Sequence, residues 1–139
     1  MRNNEPILIL DDDRVDAMTV KRAFKDIEVS NPINIVGNGE AALDYLRDST
    51  NEKPCLIFVD LNMPRMNGIE FLRIVKRDEY LKMIPIVVLT TSKDEHDKIE
   101  SFKQSIAGYM IKPVDYELFV EMIRSIKSYW SFSEFPERK

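Results

Sequence analysis

The sequence predicts an α/β domain built on a doubly wound parallel sheet of five strands, with helices on both faces. Short apolar runs alternate along the chain with longer segments whose apolar residues recur at helical spacing. No internal repeat or low-complexity tract interrupts this alternation. The 139 residues suffice for one domain, which would bury about 68–70% of the surface that the unfolded chain exposes.

The apolar runs are predicted to be strands, because they are too brief and too uniformly apolar for surface helices. Asn31-Pro32 interrupts the chain before the second run, and Pro85 precedes the fourth. The predicted strands are residues 7–10, 33–36, 56–60, 86–90 and 108–111.

The segments between the strands carry the helical spacing. The first helix is predicted to begin at Arg14, and the second to follow the turn that ends at Gly39. Ser92, with Glu95 three residues later, forms a capping-box pattern that predicts the start of the fourth helix. The third, fourth and fifth helices are predicted at residues 69–76, 92–105 and 115–130, and residues 131–139 form a short aromatic tail beyond a domain of residues 1–130.

Composition and charge exclude several classes of protein. The formal net charge is −4, with Lys and Arg spread along the chain, so neither nucleic acid nor an anionic membrane is the expected partner. The lone Cys55 is expected to be a reduced core thiol. The polar start excludes a signal peptide, and no apolar stretch approaches the roughly 18 residues of a membrane span. We therefore expect a soluble cytoplasmic domain.

Acidic residues follow two of the predicted strands. Asp11, Asp12 and Asp13 come directly after the first strand, and Asp60 ends the third. Clustered carboxylates repel each other by about 4 kcal/mol a pair at 4 Å and an effective dielectric constant of about 20. A hard cation such as Mg²⁺ or Mn²⁺ relieves this repulsion. The alternative is a solvated acidic loop, but acids at two strand ends favour the cation.

Two further strand ends carry groups suited to phosphate chemistry. Asp60 can act as a nucleophile toward phosphorus, which would give an aspartyl phosphate. Lys112 at the end of the fifth strand supplies an ammonium group that can neutralise phosphoryl oxygens, and Thr90 at the end of the fourth supplies a hydroxyl. Considered alone, Lys112 would be interpreted as an ordinary surface lysine, and Thr90 as a residue placed there by its high strand propensity. Their conjunction with the acids favours a shared site.

The order of these motifs resembles the receiver domain of two-component response regulators, the group that includes the chemotaxis regulators. The acid run, the Asp-x-x-Met-Pro-x-x-x-Gly motif of residues 60–68, a strand ending in Thr90 and the Lys112-Pro113 pair occur in the order and rough spacing of that family. The resemblance covers residues 6–127. It implies a flavodoxin-like fold with strand order 2-1-3-4-5, in which the second strand lies at the edge of the sheet.

The resemblance also implies roles for the acids. Asp60 would accept the phosphoryl group from a sensor histidine kinase in a Mg²⁺-dependent reaction. Asp12 and Asp60 would bind the cation directly, Asp11 would act through a coordinated water, and Asn62 would offer its backbone carbonyl.

The remaining site residues would respond to the phosphoryl group. Lys112 would pair with its oxygens, and Thr90 and Tyr109 would form the family's switch pair of hydroxyl and aromatic ring. In this family the bond between Lys112 and Pro113 is commonly cis.

A closer likeness is to the stand-alone regulators that partner phytochrome kinases. It is carried by the Asp-Arg-x-Asp stretch of residues 13–16, the VVLTTS run and the Ser128-Tyr129-Trp130 end. This likeness implies a phytochrome as the kinase. The aromatic side chains of Tyr129, Trp130, Phe132 and Phe135 are expected either to pack back onto the domain or to form an interface, which would give a homodimer through the face of the fourth and fifth helices and the aromatic C-terminus. The extra acid Asp13 and the Thr91 in place of a common Ala depart from the usual receiver pattern.

Two other functions fit parts of the pattern. A phosphatase of the haloacid-dehalogenase type also uses Mg²⁺ and an aspartyl phosphate, but needs an acid two residues after the nucleophile, where this chain has Asn62. A receiver-like protein that no longer accepts phosphate would be expected to lack an acid or the lysine. We therefore expect a single-domain switch rather than an enzyme, with output through protein partners because the chain leaves no room for an output domain.

Overall fold

A computed structural model describes residues 4–64 and 66–136. Residues 1–3 of the predicted domain and 137–139 of the predicted tail lie outside this range. The strands are β1 (Ile7–Leu10), β2 (Ile33–Val36), β3 (Leu56–Val59), β4 (Ile86–Thr90) and β5 (Gly108–Ile111), and the helices are α1 (Arg14–Asp26), α2 (Gly39–Arg47), α3 (Gly68–Arg77), α4 (Glu95–Lys103) and α5 (Tyr116–Phe132). All strand pairs are parallel and the order is β2-β1-β3-β4-β5, which confirms the predicted fold class and strand order.

The sheet separates two apolar cores, because successive strand residues point to opposite faces. Leu8 and Ile57 belong to the core shared with α2 and α3. Ile9 and Phe58 belong to the core shared with α1 and α5, where the ring of Phe24 meets that of Phe58 edge-on at 5.6 Å. Helices on both faces leave the ends of the strands as the open edge on which a site can form.

Helix α4 begins later than the sequence predicted. Its N-cap is Asp94, whose carboxylate accepts hydrogen bonds from the backbone N–H groups of His96 and Asp97. Ser92 does not cap the helix, because its backbone is bonded to side chains of the strand ends: its N–H donates to Thr90 and its carbonyl accepts from Tyr109. The predicted capping box is therefore wrong by two residues.

Helix α5 continues to Phe132, two residues past its predicted end. The side chain of Trp130 packs against the α1–α5 core, and the ring of Phe135 stacks on Trp130 at 5.6 Å. The described part of the tail thus folds back onto the end of α5, while the side chain of Phe132 is 87% exposed.

Candidate functional site

The register of the sheet brings the predicted acids together. Leu10 of β1 pairs with Val59 of β3, so Asp11 and Asp60, the next residues, leave the sheet side by side. Single carboxylate oxygens of Asp11, Asp12 and Asp60 lie within 4.8 Å of one another. Three hard oxygen donors at this separation fit a divalent cation such as Mg²⁺ or Mn²⁺. The acidic cluster can therefore bind a divalent metal.

Lys112, directly after β5, supplies positive charge to this cluster. Its backbone N–H donates to the carbonyl of Thr90 at 2.8 Å, which fixes the start of the loop after β5. Its Nζ lies 3.0 Å from Oδ2 of Asp11 and 3.3 Å from Oδ2 of Asp60. The side chain of Lys112 is only 10% exposed, so these ion pairs are largely shielded from water.

Burial and charge act in opposite directions on the pKa of Lys112. Burial lowers this pKa, but the hydrogen bond and charge of Asp11, with the charges of Asp60 and Asp16, outweigh burial and hold it above its ordinary value. Burial also raises the pKa of Asp11, although the backbone N–H of Asp13 and the ammonium of Lys112 lower it. Lys112 therefore remains charged throughout the physiological pH range.

Asp13, the acid that departs from the family pattern, caps helix α1. Its Oδ1 accepts hydrogen bonds from the backbone N–H groups of Val15 at 2.9 Å and Asp16 at 3.2 Å, which caps the N-terminus of α1. Asp13 is not one of the three acids of the cluster that can bind a metal. The third acid of the run thus positions α1.

Replacing Asp13 with alanine is expected to lower the free energy of unfolding by about 1 kcal/mol, because two backbone donors lose their partner. Asp13→Asn keeps the acceptor and should retain wild-type stability. Urea denaturation measures both. A Mn²⁺ titration should give affinities near wild type for both variants, whereas Asp12→Asn should weaken binding; a large loss of Mn²⁺ affinity in Asp13→Asn would contradict the capping role.

The sequence reasoning missed Asp16 as a partner of Lys112. Its Oδ2 lies 3.3 Å from Nζ of Lys112, whereas the sequence marks Asp16 only as part of the Asp-Arg-x-Asp string. Because Asp13 is the N-cap, Asp16 falls in the first turn of α1, but its contact with Lys112 is visible only in the tertiary structure.

Thr90 and Tyr109 are joined through Ser92. The fully buried Oγ1 of Thr90 accepts from the backbone N–H of Ser92 at 3.2 Å and lies 3.5 Å from Nδ2 of Asn62. The hydroxyl of Tyr109 donates to the carbonyl of Ser92 at 2.9 Å, and the hydroxyl of Ser92 donates to Oδ2 of Asp97 at 2.6 Å. One residue thus connects the predicted switch pair with the first turn of α4.

The pKa of Tyr109 lies above its ordinary value. Burial is the largest cause. Hydrogen bonding with the side chain of Ser92 lowers this pKa, and the nearby carboxylates of Asp97, Asp94 and Asp60 raise it further. The hydroxyl therefore stays protonated at neutral pH and can donate the bond to Ser92.

Two expectations about individual groups have different outcomes. The backbone N–H of Asn62 donates to Oδ1 of Asp60 at 3.1 Å, and the cation-binding role of the Asn62 carbonyl stays a prediction. The bond between Lys112 and Pro113 is trans, as is every peptide bond of the described residues, so the cis form expected from the resemblance is wrong. Trans is also the intrinsically preferred form of such bonds.

Comparison with known proteins identifies the family. The family model described as response regulator receiver domain matches residues 7–124. This chain belongs to that family. The receiver domain is 36% identical over 127 residues to the probable methanogenesis regulatory protein FilR2 of Methanothrix harundinacea, a match that covers 89% of this chain and 82% of FilR2.

Response regulators of phytochrome systems are among its relatives. Response regulator Rcp1 of Synechocystis sp. is 33% identical over 128 residues, covering 89% of this chain and 87% of Rcp1. The structure of the Mn²⁺-bound form of Rcp1 superposes with a TM-score of 0.86 at 31% identity, covering 96% of this chain and 99% of Rcp1. The phosphorylated cyanobacterial phytochrome response regulator RcpA gives a TM-score of 0.88 at 29% identity, covering 96% and 99%. The predicted likeness to phytochrome-partnered regulators is confirmed.

No helix within the described residues combines the length and the apolar character that crossing a membrane requires.

Proposed function

We propose that this receiver domain accepts a phosphoryl group on Asp60 from the phosphohistidine of a sensor histidine kinase and signals the change to protein partners. The observation that carries the proposal is the position of the Asp60 carboxylate. Asp60 belongs to the three-acid cluster that can bind a divalent metal, and its Oδ2 lies 3.3 Å from Nζ of Lys112. A carboxylate in this position has positive charge available on two sides for an incoming phosphoryl group.

In the proposed reaction an oxygen of Asp60 attacks phosphorus and a P–O bond forms as the P–N bond to the donor imidazole breaks. The electron pair of that bond returns to the imidazole nitrogen, so Asp60 needs no proton transfer to react. A divalent cation held by Asp11, Asp12 and Asp60 would supply charge neutralisation for the phosphoryl oxygens. Lys112 neutralises a further oxygen, exchanging its contact with Oδ2 of Asp60 for a contact with the phosphoryl group.

The response would start at Thr90. Its hydroxyl now accepts from the backbone of Ser92, and a phosphoryl oxygen on Asp60 would offer it a stronger, charged acceptor. If Thr90 turns toward that oxygen, Ser92 loses one partner while it still holds Tyr109 and Asp97. A change at Asp60 is thereby communicated to β5 and to the first turn of α4, which shifts an equilibrium between two arrangements.

The partners follow from the relatives and from the exposed surface. RcpA is named as a cyanobacterial phytochrome response regulator, which supports a sensor histidine kinase, and specifically a phytochrome, as the partner of this chain.

Large apolar side chains on α4 and α5 are exposed, among them Ile99, Phe102, Leu118 and Phe132, which supports a homodimer through this face and the aromatic end. A cytoplasmic location and a downstream protein target remain predictions.

The proposal is tested by intact mass after incubation with Mg²⁺ and a small phosphodonor. Wild type should gain about 80 Da, the mass of one phosphoryl group. The adduct should be absent in excess EDTA and in Asp60→Asn, which keeps the size of the side chain but is a poor nucleophile. No adduct on wild type, or an equal adduct on Asp60→Asn, would refute the proposal. Rapid multiple turnover of phosphoesters would instead support the phosphatase alternative.

A further inference from the structure

Lys112 has one carboxylate partner that does not belong to the cation cluster. Of the three acids that contact its Nζ, Asp11 and Asp60 also belong to the three-acid cluster, whereas Asp16 does not. Asp16 comes from α1, and its backbone N–H is held by the N-cap Asp13 at 3.2 Å. Asp16 has no role in the proposed binding of the cation or in the proposed phosphoryl transfer.

The three N–H donors of the Lys112 ammonium group match the three carboxylate oxygens that surround it. An ammonium group has three N–H bonds, and three carboxylate oxygens lie 3.0 to 3.3 Å from Nζ of Lys112. An arriving phosphoryl group can take over the donor that now faces Asp60. The donor that faces Asp16 stays engaged, so part of the positive charge of Lys112 remains directed toward α1.

We propose that Asp16 is a positioning residue for Lys112, which draws the ammonium group toward α1 and thereby slows phosphoryl transfer to Asp60. The inference rests on the proposed function and deepens it. Two electrostatic effects have the same sign. Asp16 competes with the phosphoryl oxygens for Lys112, and its own negative charge repels the phosphoryl group.

The surroundings of Asp16 set the size of this effect. The side chain is 44% exposed, whereas that of Asp11 is 3% exposed. A cleft of about 300 Å³ between α1 and the start of α5 opens onto the pair and is lined by Asp16, Lys112, Pro113, Tyr116 and Phe119. Solvent and salt therefore reach Asp16, so its influence should be modest and should decrease with ionic strength.

The test compares Asp16→Asn with Asp26→Asn. Asp26 is the other acid of α1, its side chain is also 44% exposed, and the substitution removes the same charge. Its carboxylate accepts from the hydroxyl of Tyr116 at 2.6 Å and has no contact with Lys112. The measured quantity is the second-order rate constant for adduct formation from a small phosphodonor in saturating Mg²⁺, by intact mass at low and high salt.

Asp16→Asn should react about threefold faster than wild type at low salt, the effect expected for one half-exposed ion pair. The ratio should approach one at about 1 M salt, where screening is strong. Asp26→Asn should match wild type at both salt concentrations, and Asp16→Glu, which restores the charge, should stay near wild type. A general disturbance of α1 would not produce this salt dependence or the rescue by glutamate.

An Asp16→Asn rate equal to or below that of Asp26→Asn would overturn the role of Asp16, as would an acceleration that persists at high salt or appears equally in Asp16→Glu. A wild-type protein that takes up no phosphoryl group at all would refute the proposed function, and this inference with it. The two failures are therefore distinguishable.

Discussion

Replacing Lys112 with methionine is expected to lower the free energy of unfolding in metal-free buffer by about 3 kcal/mol, because breaking a buried ion pair leaves an uncompensated charge. Methionine keeps the apolar part of the side chain and removes only the ammonium group. Asp11 and Asp60, which both contact Nζ and are nine-tenths or more buried, would lose their positive partner. Millimolar Mg²⁺ should restore part of the loss, since a cation bound by the same acids supplies the missing charge.

The same substitution should slow phosphoryl transfer by about 10²-fold or more, because a preorganised positive group is removed from the place where charge develops. Urea denaturation in EDTA and in Mg²⁺, and the rate of adduct formation, measure the two effects. Lys98→Met is the control. Its Nζ lies 3.6 Å from Glu95 on the surface of α4, and such a pair contributes at most about 1 kcal/mol. Wild-type stability and rate in Lys112→Met would show that Lys112 is not the counter-charge of the site.

Replacing Gly68 with alanine is expected to lower the free energy of unfolding by about 3 kcal/mol, the upper part of the usual range for overpacking. A Cβ atom at this position would lie 2.7 Å from the backbone oxygen of Asp60 and 2.8 Å from Cα of Leu61. Both contacts are with backbone atoms, so a rotation of a side chain cannot relieve them. The loop that carries Asp60 would have to move.

Displacement of Asp60 should also slow phosphoryl transfer, by about 10²-fold for a shift near 1 Å. Gly37→Ala is the matched control, because a Cβ atom there meets nothing within 4 Å and the backbone is not in the left-handed region. That variant should be unchanged or stabilised by about 0.4–1 kcal/mol through the unfolded chain. Thermal and urea denaturation and the rate of adduct formation measure these effects in both variants. Equal stability and equal rate for Gly68→Ala and Gly37→Ala would show that the space at Gly68 does not matter.

Most of the fold could be predicted from the sequence, because the signals were local and agreed with each other. Each strand is a short apolar run, and the polar residues that end the runs mark one edge of a parallel sheet. The parallel order then makes Asp11 and Asp60 neighbours, since β1 and β3 pair in register. The acid cluster and its nearness to Lys112 follow from topology rather than from any single motif.

The sequence could not predict how neighbouring acids divide their contacts. Asp12 and Asp13 are neighbours in the sequence, yet Asp12 belongs to the three-acid cluster and Asp13 caps α1. Which acid takes which role depends on the residue at which α1 starts. The contact of Asp16 with Lys112 joins residues 96 positions apart, and no local pattern encodes it.

The error at α4 has a similar origin. Ser92 and Glu95 form a valid local capping pattern, but the side chain of Thr90 and the hydroxyl of Tyr109 hold the backbone of Ser92. Tertiary contacts therefore outweighed the local signal at a residue that links the candidate switch pair.

Locating the phosphoryl group on the chain shows directly whether Asp60 is the residue that carries it. An acyl phosphate on aspartate can be reduced with borohydride to homoserine, which marks the modified residue for peptide mass mapping. After incubation with Mg²⁺ and a small phosphodonor, we expect homoserine at position 60 and unmodified aspartate at positions 11, 12, 13 and 16. Homoserine at one of those four positions, or phosphate on a serine, threonine or histidine with Asp60 intact, would contradict it.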